Sequence, residues 1–320
     1  MNGTQPYTDV VTIGETMALM RSSIPGPLAH NSQLGLGIGG SESNFAIALR
    51  RLGTSVSWVG RVGQDALGDL VQREIRGEDV NTLVARDPDA ATGLMIKESR
   101  TTKHQKVYYY RQGMAGSRIT PRDLPREVIS RAKVLHLTGI SAALSDSSLE
   151  TVHAAIGIAR EAGVTVVFDL NYRAGLWDES AARSAYRQIL AKVDVVFAGD
   201  DEAAIALGYP AEPEQLARDL IALGPKDAVI KLGARGCAGV IDGAYYECEA
   251  IKVRAVDTVG AGDGFVAGYV AEMLQGLPPA ARLDTAVRTG AFACLVPGDW
   301  EGMPRREELG LLGLDEPVIR

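Results

Sequence analysis

The stretch that decides the fold is Val256-Asp-Thr-Val-Gly-Ala-Gly-Asp-Gly-Phe-Val-Ala-Gly-Tyr269. The β-branched run from Ile251 to Val256 predicts a strand before it, and apolar residues from Phe265 to Met273 recur at helical spacing after it. The small residues Gly260 to Gly262 lie between the two and let the backbone approach a ligand closely. The stretch therefore predicts a strand-to-helix junction that can bind a ligand.

Asp263 lies in the first turn of the predicted helix. The free N–H groups and the dipole of a first turn favour phosphate or developing negative charge. A carboxylate beside such a site is suited to accept a hydroxyl proton during phosphoryl transfer. The alternative is that Asp263 only caps the helix and the glycines only turn the chain.

Residues Asp257 to Asp263 closely resemble the DTxGAGD signature of the ribokinase-like (PfkB) family of carbohydrate kinases. Seven consecutive positions with one free choice make this motif far more specific than a lone glycine pattern. The resemblance implies ATP and Mg²⁺ as cofactors and allows a monovalent cation near Asp257. It also implies a catalytic base at Asp263 and an anion hole formed by the amides of Gly260, Ala261 and Gly262.

Composition fits a globular enzyme and argues against several other classes. The chain has 320 residues, of which 46% are hydrophobic and 23% charged, and a net charge of −7 without a block of lysines or arginines. Nothing in this distribution attracts nucleic acid or an anionic membrane. No signal peptide and no apolar run of membrane-spanning length is recognised, so a cytoplasmic location is expected.

Three cysteines have no metal-ligand spacing, and an odd number does not make a disulfide framework. If Asp242 and Gly243 form a two-residue hairpin turn, Cys237 falls opposite Cys248. Free thiols are expected in a reducing compartment.

Strands alternate with helices along most of the chain, as in a parallel sheet built from βαβ units. Ser41 is the expected N-cap of the first helix. The fold class expected is α/β and ribokinase-like, with a doubly wound, mostly parallel sheet flanked by helices and a small β-sheet lid. We assign residues 9–15, 37–91 and 118–320 to a main domain that binds nucleotide and sugar. Residues 16–36 and 92–117 are assigned to the lid, whose open edges favour a homodimer.

Two further motifs resemble those of the family. Gly39 to Ala46 resembles its amino-terminal signature, which implies contacts from Gly40 and Asn44 to substrate hydroxyls; alternatively, Asn44 only assists the helix cap. Gly199 to Glu202 aligns with the family's NxxE motif, in which the glutamate helps to hold hydrated magnesium. Gly199 replaces the asparagine, and the acidic residues would also suit a helix N-terminus.

Residues Lys231 to Gly236 resemble the loop beside the nucleotide, which implies roles for Lys231, Gly233 and Gly236. Glycines are also needed for an ordinary turn, so this motif alone is weak.

Asp169 to Trp177 resembles the DxNxRxxLW stretch of 2-keto-3-deoxygluconate kinases, and Tyr109 to Arg111 resembles part of their lid motif. The resemblance implies that Tyr109, Arg111 and Arg173 bind substrate. Two arginines that converge on one site favour a carboxylate, because guanidinium grips it through two parallel bonds. The alternatives are a surface position for Arg111 and a salt bridge from Arg173 to Asp169 or Asp178.

The function expected is therefore ATP-dependent phosphorylation of the primary hydroxyl of an acid sugar. The leading candidate substrate is 2-keto-3-deoxygluconate. A fructokinase or ribokinase acting on a neutral sugar is the nearest alternative. Gly35 to Gly40 has the wrong spacing for a dinucleotide-binding oxidoreductase. A sugar-binding protein without activity would not need both Asp263 and Glu202.

Overall fold

Short aliphatic runs form the strands, and amphipathic segments between them form the helices. The computed structural model describes residues 8–31, 33–101 and 104–313. The strands are β1 (Val10–Ile13), β2 (Met17–Ser22), β3 (Leu34–Gly39), β4 (Val56–Gly63), β5 (Asn81–Asp87), β6 (Leu94–Ser99), β7 (Gln105–Tyr110), β8 (Val134–Thr138), β9 (Thr165–Asp169), β10 (Val195–Gly199), β11 (Asp227–Lys231), β12 (Cys237–Ile241) and β13 (Ala244–Cys248). The α-helices are α1 (Ser41–Arg51), α2 (Ala66–Gly77), α3 (Arg126–Arg131), α4 (Gly139–Ala143), α5 (Asp146–Glu161), α6 (Glu179–Leu190), α7 (Asp200–Leu207), α8 (Pro213–Ile221), α9 (Ala261–Leu274) and α10 (Pro279–Ala293).

Nine strands form the main sheet in the order β13-β12-β11-β10-β9-β8-β1-β4-β5. All neighbours from β11 to β5 are parallel, and the β12–β13 hairpin adds two antiparallel pairings at one edge. The chain leaves β1 towards β4 on one side and returns to β8 on the other. The order therefore reverses at β1, and doubly wound folds bind ligands beyond the carboxyl ends of strands at such a point.

Both faces of this sheet are covered by helices, which explains why its strands are apolar throughout rather than alternating. Helices α3, α5, α6, α7 and α8 pack on one face, and α1, α2, α9 and α10 on the other. Neighbouring residues of one strand enter different cores: on β10, Val196 packs on the first face while Val195 and Phe197 pack on the second. This confirms the predicted doubly wound α/β fold.

A second sheet has the order β3-β2-β6-β7 and a small core of Met17, Leu19 and Met95. Its strands come from the two segments that the sequence assigns to the lid, and β3 continues to Gly39. The small sheet itself was expected; the boundaries between main domain and lid stay a prediction.

The predicted strand from Ile251 to Val256 is wrong, because this segment is irregular. The amide of Val256 donates instead to the carbonyl of Cys294 just after α10, at 2.7 Å. The segment thus crosses to the helical layer rather than joining the sheet. Strand β5 was not anticipated.

The hairpin at Asp242 and Gly243 is as predicted: both residues have positive φ, and Cys237 pairs with Cys248 across β12 and β13. All three cysteines are free in the structure. No helix within the described residues is both long and apolar enough to cross a membrane.

Candidate active site

Two helices begin beside the topological switch point, and a glycine precedes each of them. Gly40 precedes α1, and a Cβ there would lie 2.3 Å from the carbonyl oxygen of Glu15. Gly260 precedes α9 with φ of +80°, and a Cβ there would lie 1.9 Å from the carbonyl oxygen of Asp299. Larger side chains are therefore excluded at both positions.

Asp263 lies between these helix starts and is held by α1. Its Oδ1 accepts a hydrogen bond from Ser41 Oγ at 2.5 Å, and its Oδ2 accepts one from Asn44 Nδ2 at 2.9 Å. Ser41 in turn accepts a hydrogen bond from Asn171 Nδ2 at 2.7 Å. The prediction that Ser41 is the N-cap of α1 is wrong: Gly40 occupies that position, and the serine hydroxyl is directed to Asp263.

Burial raises the pKa of Asp263 above its usual range, although the hydrogen bonds from Ser41 and Asn44 act in the opposite direction. Part of Asp263 remains exposed, so an incoming hydroxyl can reach it.

The main-chain donors beside this carboxylate are largely free. Within the described residues, the amides of Gly260 and Gly262 have no hydrogen-bond acceptor, and that of Ala261 makes only a 3.3 Å bond to the carbonyl of Thr258. Unpaired amides at a helix N-terminus attract anions. Asp263, which can accept a proton, therefore lies next to main-chain N–H groups that can bind a negatively charged group.

A charged cluster lies on the open side of this turn. Lys231, at the end of β11, donates to Asp169 Oδ1 at 2.6 Å and to Oδ2 at 2.8 Å, and its Nζ is 4.0 Å from Glu202 Oε2. Burial raises the pKa of Asp169 to about 6, against the attraction of Lys231. Burial alone would lower the pKa of Lys231, but Asp169 and Glu202 outweigh it and raise that pKa. A Cβ on Gly262 would lie 3.7 Å from Lys231 Nζ, so this ammonium borders the anion site.

Glu202 lies in the first turn of α7, and both of its oxygens accept main-chain amides. Oε1 accepts from Tyr172 N at 2.9 Å and Oε2 from Gly199 N at 2.7 Å. No cluster of three or more potential metal ligands occurs in the described parts of the chain. Mg²⁺ is usually held by one or two carboxylates, waters and substrate phosphates, so a single glutamate at the cleft fits an ion bound largely through water.

The two predicted substrate arginines have different surroundings. Arg173 is exposed and donates to the carbonyl of Tyr172 at 2.9 Å. No described carboxylate lies within ion-pair distance of it, so the alternative salt bridges to Asp169 and Asp178 do not form.

Arg111, in contrast, pairs with buried Glu15, with Nη2 and Nε at 2.5 and 2.7 Å from Oε2. Its guanidinium also lies 5.6 Å from the ring centre of the exposed Tyr109. The alternative of a free surface position for Arg111 is therefore excluded.

The remaining predicted residues border the same edge of the sheet. Gly233 and Gly236 flank a tight turn after β11 and both have positive φ. A Cβ on Gly236 would lie 2.0 Å from the carbonyl oxygen of Cys248, so a side chain has no room there. Arg235 in this turn forms an exposed ion pair with Asp200 of α7.

A second charged cluster lies on the buried side of the anion site, and sequence reasoning missed it. Lys97 Nζ on β6 is 2.5 Å from Asp257 Oδ2 and 3.4 Å from Asp299 Oδ1. A single lysine at the end of a predicted strand gives no local signal of this role. The stretch from Gly298 to Pro304, to which the sequence assigned no role, packs against Gly260 and Gly264 through Asp299 and Met303.

The chain matches a family described as pfkB family carbohydrate kinase over residues 7–306. It is 37% identical over 304 residues to 2-dehydro-3-deoxygluconokinase of Thermoproteus tenax, covering 93% of this chain and 92% of that protein. It is 34% identical over 307 residues to 2-dehydro-3-deoxygluconokinase of Bacillus subtilis (strain 168), covering 94% of each. The crystal structure of a PfkB protein from Polaromonas sp. JS666 superposes with a TM-score of 0.85 at 32% identity, covering 95% of this chain and 99% of that one.

Proposed function

The chain belongs to the pfkB family of carbohydrate kinases and is an ATP-dependent sugar kinase, and from this premise we propose that it phosphorylates the primary hydroxyl of 2-keto-3-deoxygluconate. That compound is the 2-dehydro-3-deoxygluconate in the names of the two relatives. The product would be its 6-phosphate.

The observation that carries the acid-sugar proposal is that the guanidinium of Arg173 has no carboxylate partner among the described residues. This residue is exposed and lies near enough to Asp263 to lower the pKa of that carboxyl in opposition to burial. A cation left without a partner beside a substrate cleft favours an anionic ligand. A neutral sugar would leave this charge unused.

Arg111 would contribute differently, because Glu15 already offsets its charge. We infer that Arg111 and Tyr109 both line the sugar site: Arg111 would supply hydrogen bonds, and Tyr109 would supply the face of its ring. Gly40 and Asn44 would contact sugar hydroxyls, although one amide hydrogen of Asn44 is already donated to Asp263. The oxygen Oδ1 of Asn44 is buried and has no partner among the described residues, so its capacity to accept a hydrogen bond is unused.

The proposed reaction begins with Asp263, which accepts the proton of the primary hydroxyl as that oxygen attacks the γ-phosphate of ATP. The amides of Gly260, Ala261 and Gly262 stabilise the negative charge of the transferring group. Lys231 and the turn that contains Gly233 and Gly236 would border the nucleotide phosphates.

Glu202 would hold Mg²⁺ through water. When bound, this ion would neutralise charge on the phosphates. The monovalent cation expected near Asp257 would have to displace the ammonium of Lys97, which already pairs with that carboxylate.

Assembly and location are further proposals. Strands β3 and β7 form the two edges of the small sheet, and Leu36, Tyr109 and Tyr110 are more than half exposed there. Open edges with apolar side chains favour pairing with a second copy, so a homodimer through the lid is proposed. Size-exclusion chromatography with light scattering tests this; a monomer at micromolar concentration would exclude it. A cytoplasmic location also stays a prediction.

The substrate proposal is tested by measuring ADP release with 2-keto-3-deoxygluconate, 2-keto-3-deoxygalactonate, fructose and ribose. We expect the highest kcat/KM with a keto-deoxy acid. Arg173→Ala should raise KM for the acids by about 10- to 100-fold, which is the usual contribution of a hydrogen bond to a charged group. Arg218→Ala, which removes an exposed arginine on α8, is the matched control.

The neutral-sugar alternative makes a different prediction. A fructokinase or ribokinase would turn over fructose or ribose best. Arg173→Ala would then have the same effect on neutral and acidic sugars.

A further inference from the structure

Lys97 is a charged residue enclosed within the protein. It is 1% exposed, and its side chain extends from β6 of the small sheet to the edge of the main domain. Burying an ammonium costs several kcal/mol unless carboxylates and hydrogen bonds offset the lost hydration. Asp257 and Asp299, 5% and 6% exposed, provide that compensation. Such a costly arrangement on a small lid sheet calls for an explanation beyond general stability.

The two carboxylates partnered by Lys97 hold the turn that carries the anion-site amides. Asp257 Oδ1 accepts the amide of Val259 at 3.2 Å, and its Oδ2 accepts the amide of Gly298 at 3.3 Å. The carbonyl of Asp299 packs directly against Gly260, which has a left-handed conformation. The ammonium therefore connects both segments that fix the backbone on either side of Gly260.

The charge of Lys97 also matters for an anionic ligand above the turn. Without it, two carboxylates would face each other below the site for phosphate. Burial raises the pKa of Asp299 to about 6, while the attraction of Lys97 acts in the opposite direction. Like charges in a poorly hydrated site repel strongly, so a cation is needed for both carboxylates to remain ionised and close together.

We propose that Lys97 is a positioning residue whose ammonium acts as a built-in cation, holding the turn from Asp257 to Gly262 in the form that exposes its amides, so that turnover needs no added monovalent cation. This proposal rests on the anion-site role proposed above for Gly260 to Gly262. Because Lys97 is enclosed, it would touch neither sugar nor ATP. Its effect reaches the reaction through Asp257, Asp299 and the backbone at Gly260.

The direct test is Lys97→Met, which keeps the length of the side chain and removes its charge. We expect kcat to fall about 100-fold, since small misplacements of catalytic groups have effects of this size, with little change in KM for the sugar. Lys97→Ala instead leaves a space between the two carboxylates that suits NH₄⁺ or K⁺. Addition of either chloride salt should therefore restore much of kcat in Lys97→Ala but not in Lys97→Met, whereas the wild-type enzyme, dialysed into tetramethylammonium buffer, should not respond.

Lys226→Met is the matched control, because Lys226 forms an ion pair with Asp194 and its side chain is 82% exposed. It should behave as wild type with and without salts. ATP binding measured by calorimetry shows whether each variant is folded.

The proposal is overturned by a folded Lys97→Met with unchanged kcat, by a loss in Lys97→Ala that neither salt relieves, or by a wild-type enzyme that requires K⁺. If Lys97→Met does not fold, Lys97→Arg decides. The guanidinium keeps the charge but is larger, so we expect a folded enzyme with kcat lowered about 10-fold or more through a displaced turn. A folded Lys97→Arg whose kcat rises on addition of K⁺ would show that the charge at this position does not take the place of a cation.

Failure of the proposed active-site assignment would be recognised separately. In that case Asp263→Asn would retain near-normal turnover. The Lys97 measurements can be made with any sugar that the wild-type enzyme phosphorylates, so a wrong substrate assignment does not affect them.

Discussion

Two lysines lie on opposite sides of the turn that begins α9, and each is paired with carboxylates. Lys231 binds Asp169 at the open edge of the main sheet, and 17% of its side chain is accessible. Lys97 binds Asp257 beneath the turn, and 2% of its side chain is accessible. The same pair of chemical groups thus occurs once where ligands can reach it and once where they cannot.

The difference in exposure gives the two lysines different roles: Lys231 can bind a ligand, whereas Lys97 can only position other residues. An accessible ammonium can exchange part of its interaction with carboxylates for an incoming phosphate, because its surroundings can rehydrate. An enclosed ammonium cannot give up its carboxylate partners for a phosphate, so it can only hold those partners in place. We therefore expect changes on the open side to affect turnover first, and changes on the buried side to affect the fold as well.

The largest expected effect is on the open side. Asp263→Asn should lower kcat by about 10²- to 10⁴-fold, the usual contribution of general base catalysis, while ATP binding and thermal stability change little. Steady-state kinetics, calorimetry and thermal unfolding measure the three quantities. Asp284→Asn, at an exposed position of α10, serves as the control. Near-normal turnover of Asp263→Asn would show that this carboxylate does not accept the proton.

The two lysines themselves provide the next test. Lys97→Met should lower the free energy of unfolding by about 3–5 kcal/mol, because it leaves buried carboxylates without a counter-charge. Lys231→Met should lower it by about 1–3 kcal/mol, because the side chain of Lys231 is 17% accessible and water can take the place of its ammonium. Urea unfolding in the absence of ligands measures both. Equal losses would contradict the distinction between an open and a buried cluster.

A buried carboxyl without a lysine completes the comparison. Glu42 is fully buried, and its Oε1 accepts from Thr138 and Ser141 at 2.7 Å each, while Oε2 has no partner in the described residues. Burial raises its pKa from 4.5 to about 7, against these hydrogen bonds. The folded state therefore binds more protons than the unfolded state between pH 4.5 and 7, and the free energy of unfolding falls as pH rises through this range.

Glu42→Gln should remove this part of the pH dependence, on the order of 3 kcal/mol across the range. Urea unfolding at several pH values measures it. Glu161→Gln, at an exposed position, should keep the wild-type slope. A wild-type slope in Glu42→Gln would mean that Glu42 remains ionised without a cation.

The smallest effect is expected for the exposed pair between Arg235 and Asp200. Arg235→Ala should change the free energy of unfolding by less than about 1 kcal/mol, because water screens exposed ion pairs. Any effect on KM for ATP should shrink as ionic strength rises. A large loss of stability would show that burial does not decide the strength of these pairs.

Local patterns predicted much of this architecture. The helical spacing after Gly262 predicted α9, and the turn residues Asp242 and Gly243 predicted a hairpin whose cysteines pair as expected. The motif from Asp257 to Asp263 predicted the family. The strand predicted before that motif was wrong, because β-branched residues favour a strand only where a neighbouring strand is available, and here the backbone bonds to the end of α10.

By itself, the sequence determined the order of strands and helices and the position of Asp263 in a first helical turn, since both depend on residues close together in the chain. Only the tertiary structure decided what surrounds that carboxylate. Ser41 is 222 residues from Asp263, and Lys97 is 160 residues from Asp257. Such contacts depend on where the sheet brings distant segments together and on how much water remains there, and neither is encoded in a local pattern.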